Sequence, residues 1–347
     1  MSETASLLTE AATRLFEEHL DEDAIRRAAK GAWLVDAWTA IEAMGLPLAL
    51  LSEDRGGFGV DPSEALALLR VAGFYGCPLP VGETMLANRV LANAGLPLSD
   101  GAAAIVPAGA GAALSREGNR WRLAGTAARV PWSETIGTLL VETAGPEGRH
   151  VVRLAKGQWR TTETAANVAG HRRDTIAFDG VVDAVSPFNR DLLLGSAALG
   201  TILIAGALDR VLELTVDHVN ERVQFGRALA KFQAVQHECA EIAGEVAAAG
   251  AAADIAADGL GRPADAARLA IASAKLRAGE AVGRAVGFAH QLHGAIGFTA
   301  EHRLHLFTTA LWAWREEHRG HGYWAKLIGD AALAAGPDGF WPLVTEA

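Results

Sequence analysis

Glu221-Arg222-Val223-Gln224-Phe225-Gly226-Arg227-Ala228-Leu229, followed closely by Phe232-Gln233-Ala234-Val235-Gln236-His237, is the stretch on which the reading of this chain turns. A helix ends in a glycine turn, an arginine stands just before the turn, and a new helix begins after it. Arg222 offers a rigid donor fork suited to phosphate or carboxylate. Phe225 offers a face for a planar ring, and Gly226 lets the backbone turn through positive φ. About seventy residues on comes a second stretch, Gln291-Leu292-His293-Gly294-Ala295-Ile296-Gly297-Phe298-Thr299-Ala300-Glu301-His302. Its two glycines permit close approach of a ligand to the backbone, and Gln291 can hydrogen-bond an amide or a polyol hydroxyl. Taken singly, each stretch also fits a plain turn between two helices, since glycine is the ordinary punctuation there.

Working outward, the chain from Leu192 onward reads as helical, with patterns over Ala197–Val223, the alanine-rich Phe232–Asp258, and Ala264–His290 opened by Asp265. Leu192–Leu208 is uncharged for 17 residues but is broken by Gly195, Ser196, Gly200 and Thr201. A bilayer span needs roughly 20 apolar residues, so a buried core helix is expected and no membrane span. Upstream, short apolar runs predict strands at Ala103–Val106, Arg120–Leu123, Thr138–Val141, His150–Leu154 and Thr175–Phe178, with Trp159–Thr162 a further candidate. The first hundred residues predict helices. Asp61-Pro62-Ser63-Glu64 is a helix start in which Asp61 caps and Glu64 reaches back to the cap amide; Leu66, Leu69 and Phe74 should then face inward, with the end near Gly76-Cys77-Pro78. Helices, then strands, then helices define an α+β arrangement, divided as an N-terminal helical domain (1–98), a small middle β-domain (99–190) and a C-terminal four-helix bundle domain (191–347).

With 347 residues, 50% of them hydrophobic, the chain can build a substantial core. Lys+Arg 31 against Asp+Glu 41 gives a net charge of −10, a poor match for nucleic-acid phosphates. Two cysteines, Cys77 and Cys239, exclude a disulfide framework and a four-thiolate zinc site, and suit a reducing cytoplasm.

Together, Arg-x-Gln-Phe-Gly…Phe-Gln-x-Val-Gln-His and the later Gln-x-His-Gly-x-Ile-Gly-Phe-Thr-x-Glu-His resemble the acyl-CoA dehydrogenase family. Glu53…Gly56-Gly57-Phe58-Gly59 and the three-part layout agree with it. The resemblance implies a flavoenzyme fold with FAD held across a subunit interface. Arg222 would contact the FAD pyrophosphate, with Gln224 and Phe225 beside it. Leu229, Phe232 and Val235 would line the adenine end, while Gln291, Gly294 and Ala295 would approach a FAD bound mainly by the neighbouring subunit. It also implies an acyl-CoA substrate and an electron acceptor such as an electron-transfer flavoprotein.

The chain departs from the family pattern where the reaction is carried out. Family members commonly abstract the substrate α-proton with the glutamate of a Glu-Gly-Thr run. Counting from Gln291, that place falls on His318, within Arg315-Glu316-Glu317-His318-Arg319-Gly320. Glu317 and Glu316 are one and two residues short, and one residue on a helix turns a side chain by about 100°. Glu317 is the candidate base, with a solvated charge run as the plain alternative. The place used by relatives with the base on the helix entering the bundle falls on Ser196, which is no carboxylate. In the middle domain, Ile105-Val106-Pro107-Ala108-Gly109-Ala110-Gly111 stands where the family carries a hydroxyl- and carboxylate-bearing run, and Val130-Pro131-Trp132-Ser133 leaves Trp132 and Ser133 as flavin contacts.

Such a sequence resembles one subunit of the heteromeric α2β2 acyl-CoA dehydrogenases, in which only one chain carries the base and bulky thioesters such as steroid side-chain intermediates are typical. The alternatives are a self-sufficient homomer using Glu317 or Glu316, a non-catalytic structural subunit, and a related flavin monooxygenase. His302-x-x-His305 and His318-x-x-His321 lack a third ligand at suitable spacing, so no metal site is expected. Trp312, Trp314 and Trp324 read as core or interface, Cys239 as a small buried hydrophobe, and Glu245, Asp254 and Glu280 as surface carboxylates.

Overall fold

A computed structural model describes residues 2–109 and 111–345. Ala110, part of the run cited above, lies outside the described residues, as does the side chain of the expected helix opener Asp265. The chain divides into two compact units, Met1–Ala65 with Pro78–Ser196, and Leu66–Cys77 with Ala197–Ala347. The N-terminal helices and the β-strands share the first unit, and the second half of one early helix belongs with the C-terminal helices.

In the first unit, α1 (Glu3–His19) and α2 (Glu22–Ala29) start on side-chain caps, Ser2 accepting from the Ala5 N–H and Asp21 from the Ala24 N–H. They are followed by α3 (Val35–Ala43), the first residues of α4 (Pro62–Phe74), and α5 (Val81–Asn93). The expected reciprocal cap at α4 forms only in part. Asp61 accepts from the Ser63 N–H and hydroxyl, but Glu64 turns away and accepts from the N–H and hydroxyl of Ser2. Tertiary contact with the chain start wins over the local box. Leu66 and Leu69 are buried as expected, whereas Phe74 is half-buried under the Arg210 guanidinium.

Eight strands follow: β1 (Ala103–Val106), β2 (Ala112–Glu117), β3 (Arg120–Val130), β4 (Thr138–Gly145), β5 (Gly148–Ala155), β6 (Arg160–Glu163), β7 (Asp174–Val182) and β8 (Val185–Pro187). They form two four-stranded sheets, β1-β4-β5-β8 and β2-β3-β7-β6. Among the described residues only β1 and β4 are parallel partners, with Ala103 opposite Thr138. β2 was not foreseen, since Ala-Ala-Leu-Ser-Arg-Glu is poor in β-branched residues. It is held by pairing with β3, where Ala112 lies opposite Gly125 and a Cβ at Gly125 would crowd Ala112.

The second unit contains α6 (Leu192–Glu221) beyond Ser196, a two-strand ribbon of β9 (Val223–Gln224) and β10 (Arg227–Ala228), α7 (Gln233–Gly259), α8 (Ala264–His293), α9 (Leu304–Glu316) and α10 (His321–Thr345). With α9 and the second half of α4 included, it carries more than the four expected helices. α6 is apolar enough to cross a membrane by length and composition, but its apolar window is 83% buried, as a core helix requires. Gly73 of α4 and Gly206 of α6 allow backbone to meet backbone. A Cβ on Gly206 would overlap the Arg70 carbonyl, and one on Gly73 the Leu203 carbonyl. The same crossing is fixed by a two-pronged ion pair, Arg70 Nε to Asp209 Oδ2 at 2.9 Å and Nη2 to Oδ1 at 3.2 Å. α10 breaks at Gly336 (φ 67°), just before Pro337. Trp314 and Trp324 are buried, and Trp312 is partly exposed. Glu245 is not on the surface: it is buried between α7 and α8, paired with Arg277 at 2.5 Å and Arg284 at 3.1 Å.

Candidate functional site

The first motif forms an exposed ribbon at the end of α6. Gln224 pairs with Arg227 and Val223 with Ala228, leaving Phe225 and Gly226 at the tip with φ of 50° and 80°. Positive φ at both central residues is what a tight hairpin demands. Gly226 adopts it freely, but a bulky aromatic there is strained. Phe225 is also 87% exposed. Its ring meets Phe232 edge-on at 6.1 Å, and the Arg227 guanidinium sits 4.2 Å over Phe232. Leu229 and Val235 are half-buried, Arg222 and Gln224 exposed. The Leu229 N–H donates to the Arg222 carbonyl at 2.9 Å, closing the corner.

The second motif ends α8. Gly294 leaves the helix with φ 63° and ψ −147°, and a short 3-10 turn runs to Phe298. Gln291, Gly294 and Ala295 are all exposed. Phe298 stacks on His290 at 4.2 Å, and His290 Nε2 lies 3.0 Å from the Thr308 hydroxyl. His293 points inward, its Nδ1 2.8 Å from the Ala289 carbonyl. The two motifs meet through imidazoles. His218, one turn before Arg222, stacks on His293 with centroids 4.3 Å apart, and His302 meets both rings at 4.6 and 5.9 Å. Burial, then the neighbouring imidazoles, hold His293 far below its ordinary value, at about 4, against the opposing Ala289 hydrogen bond. His218 is lowered for similar reasons, by burial first and then by His302 and Arg222. His305, three residues on from His302, turns its Nδ1 to the His302 carbonyl at 2.7 Å.

The candidate bases stand at the end of α9. Glu317 is the C-cap and is buried; Glu316 is half-exposed and accepts from Arg315 Nε at 2.8 Å. The structure thus buries the candidate base Glu317 and leaves its alternative Glu316 open to solvent. On α8, the fully buried Lys275 donates to the Trp314 carbonyl at 2.7 Å. Burial pulls its pKa down to about 8, partly offset by the negative charges of Glu317 and Glu316. Nζ of Lys275 and the His318 ring lie 3.6 and 3.5 Å from where a Cβ on Gly200 would stand. Lys275 was missed because it sits in an alanine-rich run whose spacing marks no chemistry. The histidine cluster was missed because positions 218, 293 and 302 share no local pattern.

In the first unit, Trp132 and Ser133 are not open faces. Trp132 (φ 50°) is buried against Trp33, and its indole N–H donates to the Pro78 carbonyl. The Ser133 hydroxyl lies 2.8 Å from the buried Asp174 carboxylate and 2.7 Å from the Thr161 hydroxyl. The expected flavin contacts are occupied by the fold itself. Glu142 is a buried carboxylate that accepts from the Ala108 N–H and from the Leu192 N–H that opens α6, and pairs with Arg149.

The order of helices, paired sheets and helices is that of the acyl-CoA dehydrogenase fold. Residues 193–313 match the acyl-CoA dehydrogenase C-terminal domain. Over nearly its whole length the chain is similar to proteins named acyl-CoA dehydrogenase. It is 28% identical to acyl-CoA dehydrogenase IpdE2 of Mycobacterium tuberculosis over 88% of this chain and 90% of that protein. It is likewise 28% identical to IpdE2 of Mycolicibacterium smegmatis over 95% and 96%. Among solved structures, the Tcur3481-Tcur3483 steroid ACAD G363A variant has a TM-score of 0.85 at 24% identity, covering 96% of this chain and 99% of that one. The FAD complex of PigA has a TM-score of 0.81 at 18% identity, covering 97% and 99%.

Proposed function

We propose that this chain is a subunit of an FAD-dependent acyl-CoA dehydrogenase. It would oxidise the α,β bond of a bulky acyl-CoA thioester, such as one with a steroid side chain, together with a second dehydrogenase-like subunit that supplies the base. The observation that carries this reading is Phe225, held at positive φ and 87% exposed beside an exposed Arg222. A strained, outward aromatic next to an arginine with no acidic partner among the described residues suits a nucleotide presented from outside the chain. The fit is to the pyrophosphate and adenine half of FAD. Arg222 would meet the two phosphate charges, with Gln224 alongside; Phe225, Leu229, Phe232 and Val235 would wall the adenine end; Gln291, Gly294 and Ala295 would approach a FAD held mainly by the partner. When bound, FAD supplies the acceptor for the hydride that leaves the β-carbon.

A partner-supplied base is supported from this chain's own side. Glu316 is engaged by Arg315, and Ser196 carries a hydroxyl where a carboxylate base would be needed. The α-proton would pass to the partner's base, giving the enoyl thioester, and the electrons would leave to an acceptor such as an electron-transfer flavoprotein. The steroid and two-chain readings are drawn from what Tcur3481-Tcur3483 is named as. Cys77 and Cys239, neither of them in a disulfide, suit a cytoplasmic setting. The test is to express the chain alone and with its genomic neighbour, then measure FAD per chain and bleaching by acyl-CoA. Flavin and bleaching only in the complex are expected; flavin-free protein in every assembly overturns the reading and leaves a structural subunit.

The burial of Glu317 at the end of α9 favours a second reading, a self-sufficient homomer using Glu317. In that case the chain alone is yellow, reduces an artificial acceptor with acyl-CoA, and loses that activity in Glu317→Gln. Oxygen consumption by the reduced protein would point instead to a monooxygenase.

A further inference from the structure

We propose that His218, His293 and His302 form a binding site for one borderline divalent transition ion of the Zn2+ type. Their ligand atoms all lie within 4.8 Å of one another. They come from three separate pieces of the helical unit: the last turn of α6, the end of α8 and the turn before α9. An ion there would fasten together the segments that carry Arg222 and Gln291. The site is independent of whether those two residues bind a flavin.

Ligand chemistry carries the assignment. Nε2 of His293 is buried and has no hydrogen-bond partner among the described residues, although a buried polar atom without one is costly. Its other nitrogen is spoken for: Nδ1 sits 2.8 Å from the Ala289 carbonyl. A neutral ring must then carry its proton on Nδ1 and expose a bare lone pair on Nε2. That is the arrangement in which metal-binding histidines are oriented by an outer carbonyl. His302 approaches the His293 ring edge-on and His218 stacks on its face; among the described residues the converging ligand atoms are all imidazole nitrogens, with Glu221 acting on His218 from beside them. Three neutral nitrogens with a fourth position open match zinc and its neighbours, and fit poorly with calcium or magnesium, which take oxygen ligands.

Two adjustments accompany loading. Tetrahedral bonds of about 2.0–2.1 Å place ligand nitrogens roughly 3.3 Å apart, so the cluster must contract. His218 is the member free to swing, because it is half-exposed and its ring lies stacked on His293, not aimed with it at a common point. The Leu304 N–H now donates to His302 Nδ1 at 3.1 Å. Whichever nitrogen of His302 ligates, that contact is given up, since Nδ1 then either binds the ion or carries the proton.

The test uses the full chain, stripped with a chelator and titrated with Co2+ as a coloured probe, then with Zn2+ in competition. One Co2+ per chain with a visible four-coordinate spectrum, displaced by Zn2+, is expected. His218→Ala, a helix-compatible change at a half-exposed position, should weaken binding at least about tenfold, as should His302→Ala. His237→Ala, outside the cluster, should leave it unchanged. Zn2+ should raise the melting temperature of the wild type but not of His218→Ala. The assignment fails if the wild type shows no saturable Co2+ binding, or if His218→Ala and His302→Ala bind as the wild type does.

Discussion

The Lys275 ammonium donates to the main-chain carbonyl of Trp314 at 2.7 Å, deep within the helical unit. Trp314 lies in the last turn of α9, where helix carbonyls lack partners in their own helix. A cation there satisfies one of them and complements the negative end of the helix. The candidate base Glu317 is therefore presented by a helix end that a lysine from α8 holds shut.

That lysine makes stability depend on alkaline pH. Its folded pKa of about 8 lies below its ordinary 10.5. Below pH 8 it is charged in both states, so the full cost of burying the charge is present. Between pH 8 and 10.5 the unfolded chain binds the extra proton, and that cost fades as pH rises. The unfolding free energy of Lys275→Met relative to wild type, from urea titrations, should fall by about 3 kcal/mol between pH 7.5 and 10.5. A pH-independent difference would contradict the buried charge.

Arg222 should matter for the cofactor and hardly at all for folding, being exposed. In the flavin-bearing assembly, Arg222→Ala should weaken FAD binding by about 10- to 100-fold, roughly the worth of a charge-assisted hydrogen bond. Arg222→Lys should recover only part, because an ammonium cannot offer the paired fork. Flavin fluorescence titration gives both values, and an unchanged affinity in Arg222→Ala would remove this residue from the nucleotide site.

Glu142 should matter for folding. Glu142→Ala strands the Leu192 N–H at the start of α6 and leaves Arg149 without its buried partner, at a cost of about 2–4 kcal/mol in urea unfolding. Glu142→Gln keeps the acceptor and loses the charge, so it should fall between the two.

Gly206→Ala should be more damaging than its size suggests. The added methyl overlaps the Arg70 carbonyl, a main-chain atom with no rotamer to escape into. A loss of about 3 kcal/mol or more, or failure to accumulate soluble protein, is expected, whereas Gly244→Ala in α7, which meets nothing, should be neutral or slightly stabilising.

The three-part order and the long helices were legible because alanine-rich 3.6-residue periodicity and glycine–proline breaks are local properties. Ala103–Val106 was read to the residue, because a run of apolar residues buried on both faces announces itself. β2 was not, because its polar sequence is a strand only through its partner. The ribbon motif located Arg222 and Phe225, but not that two residues at positive φ would thrust the phenyl ring outward. That Trp33 packs on Trp132 and Asp174 accepts from Ser133 was not legible, because each contact joins segments distant in sequence. Lys275 and the three histidines become a site only when distant turns converge.

The division of α4 between the two units has a practical outcome for dissection. The polypeptide passes from one unit to the other after Ala65, returns after Cys77 and leaves again after Ser196. No single cut can liberate either half whole: a fragment begun at Ala197 would lack the Gly73 surface that its own Leu203 backbone is shaped to meet. Recombinant pieces ought therefore to be made as two co-produced segments or not at all, and a protease nick near Ser196 should leave both products travelling together on a sizing column.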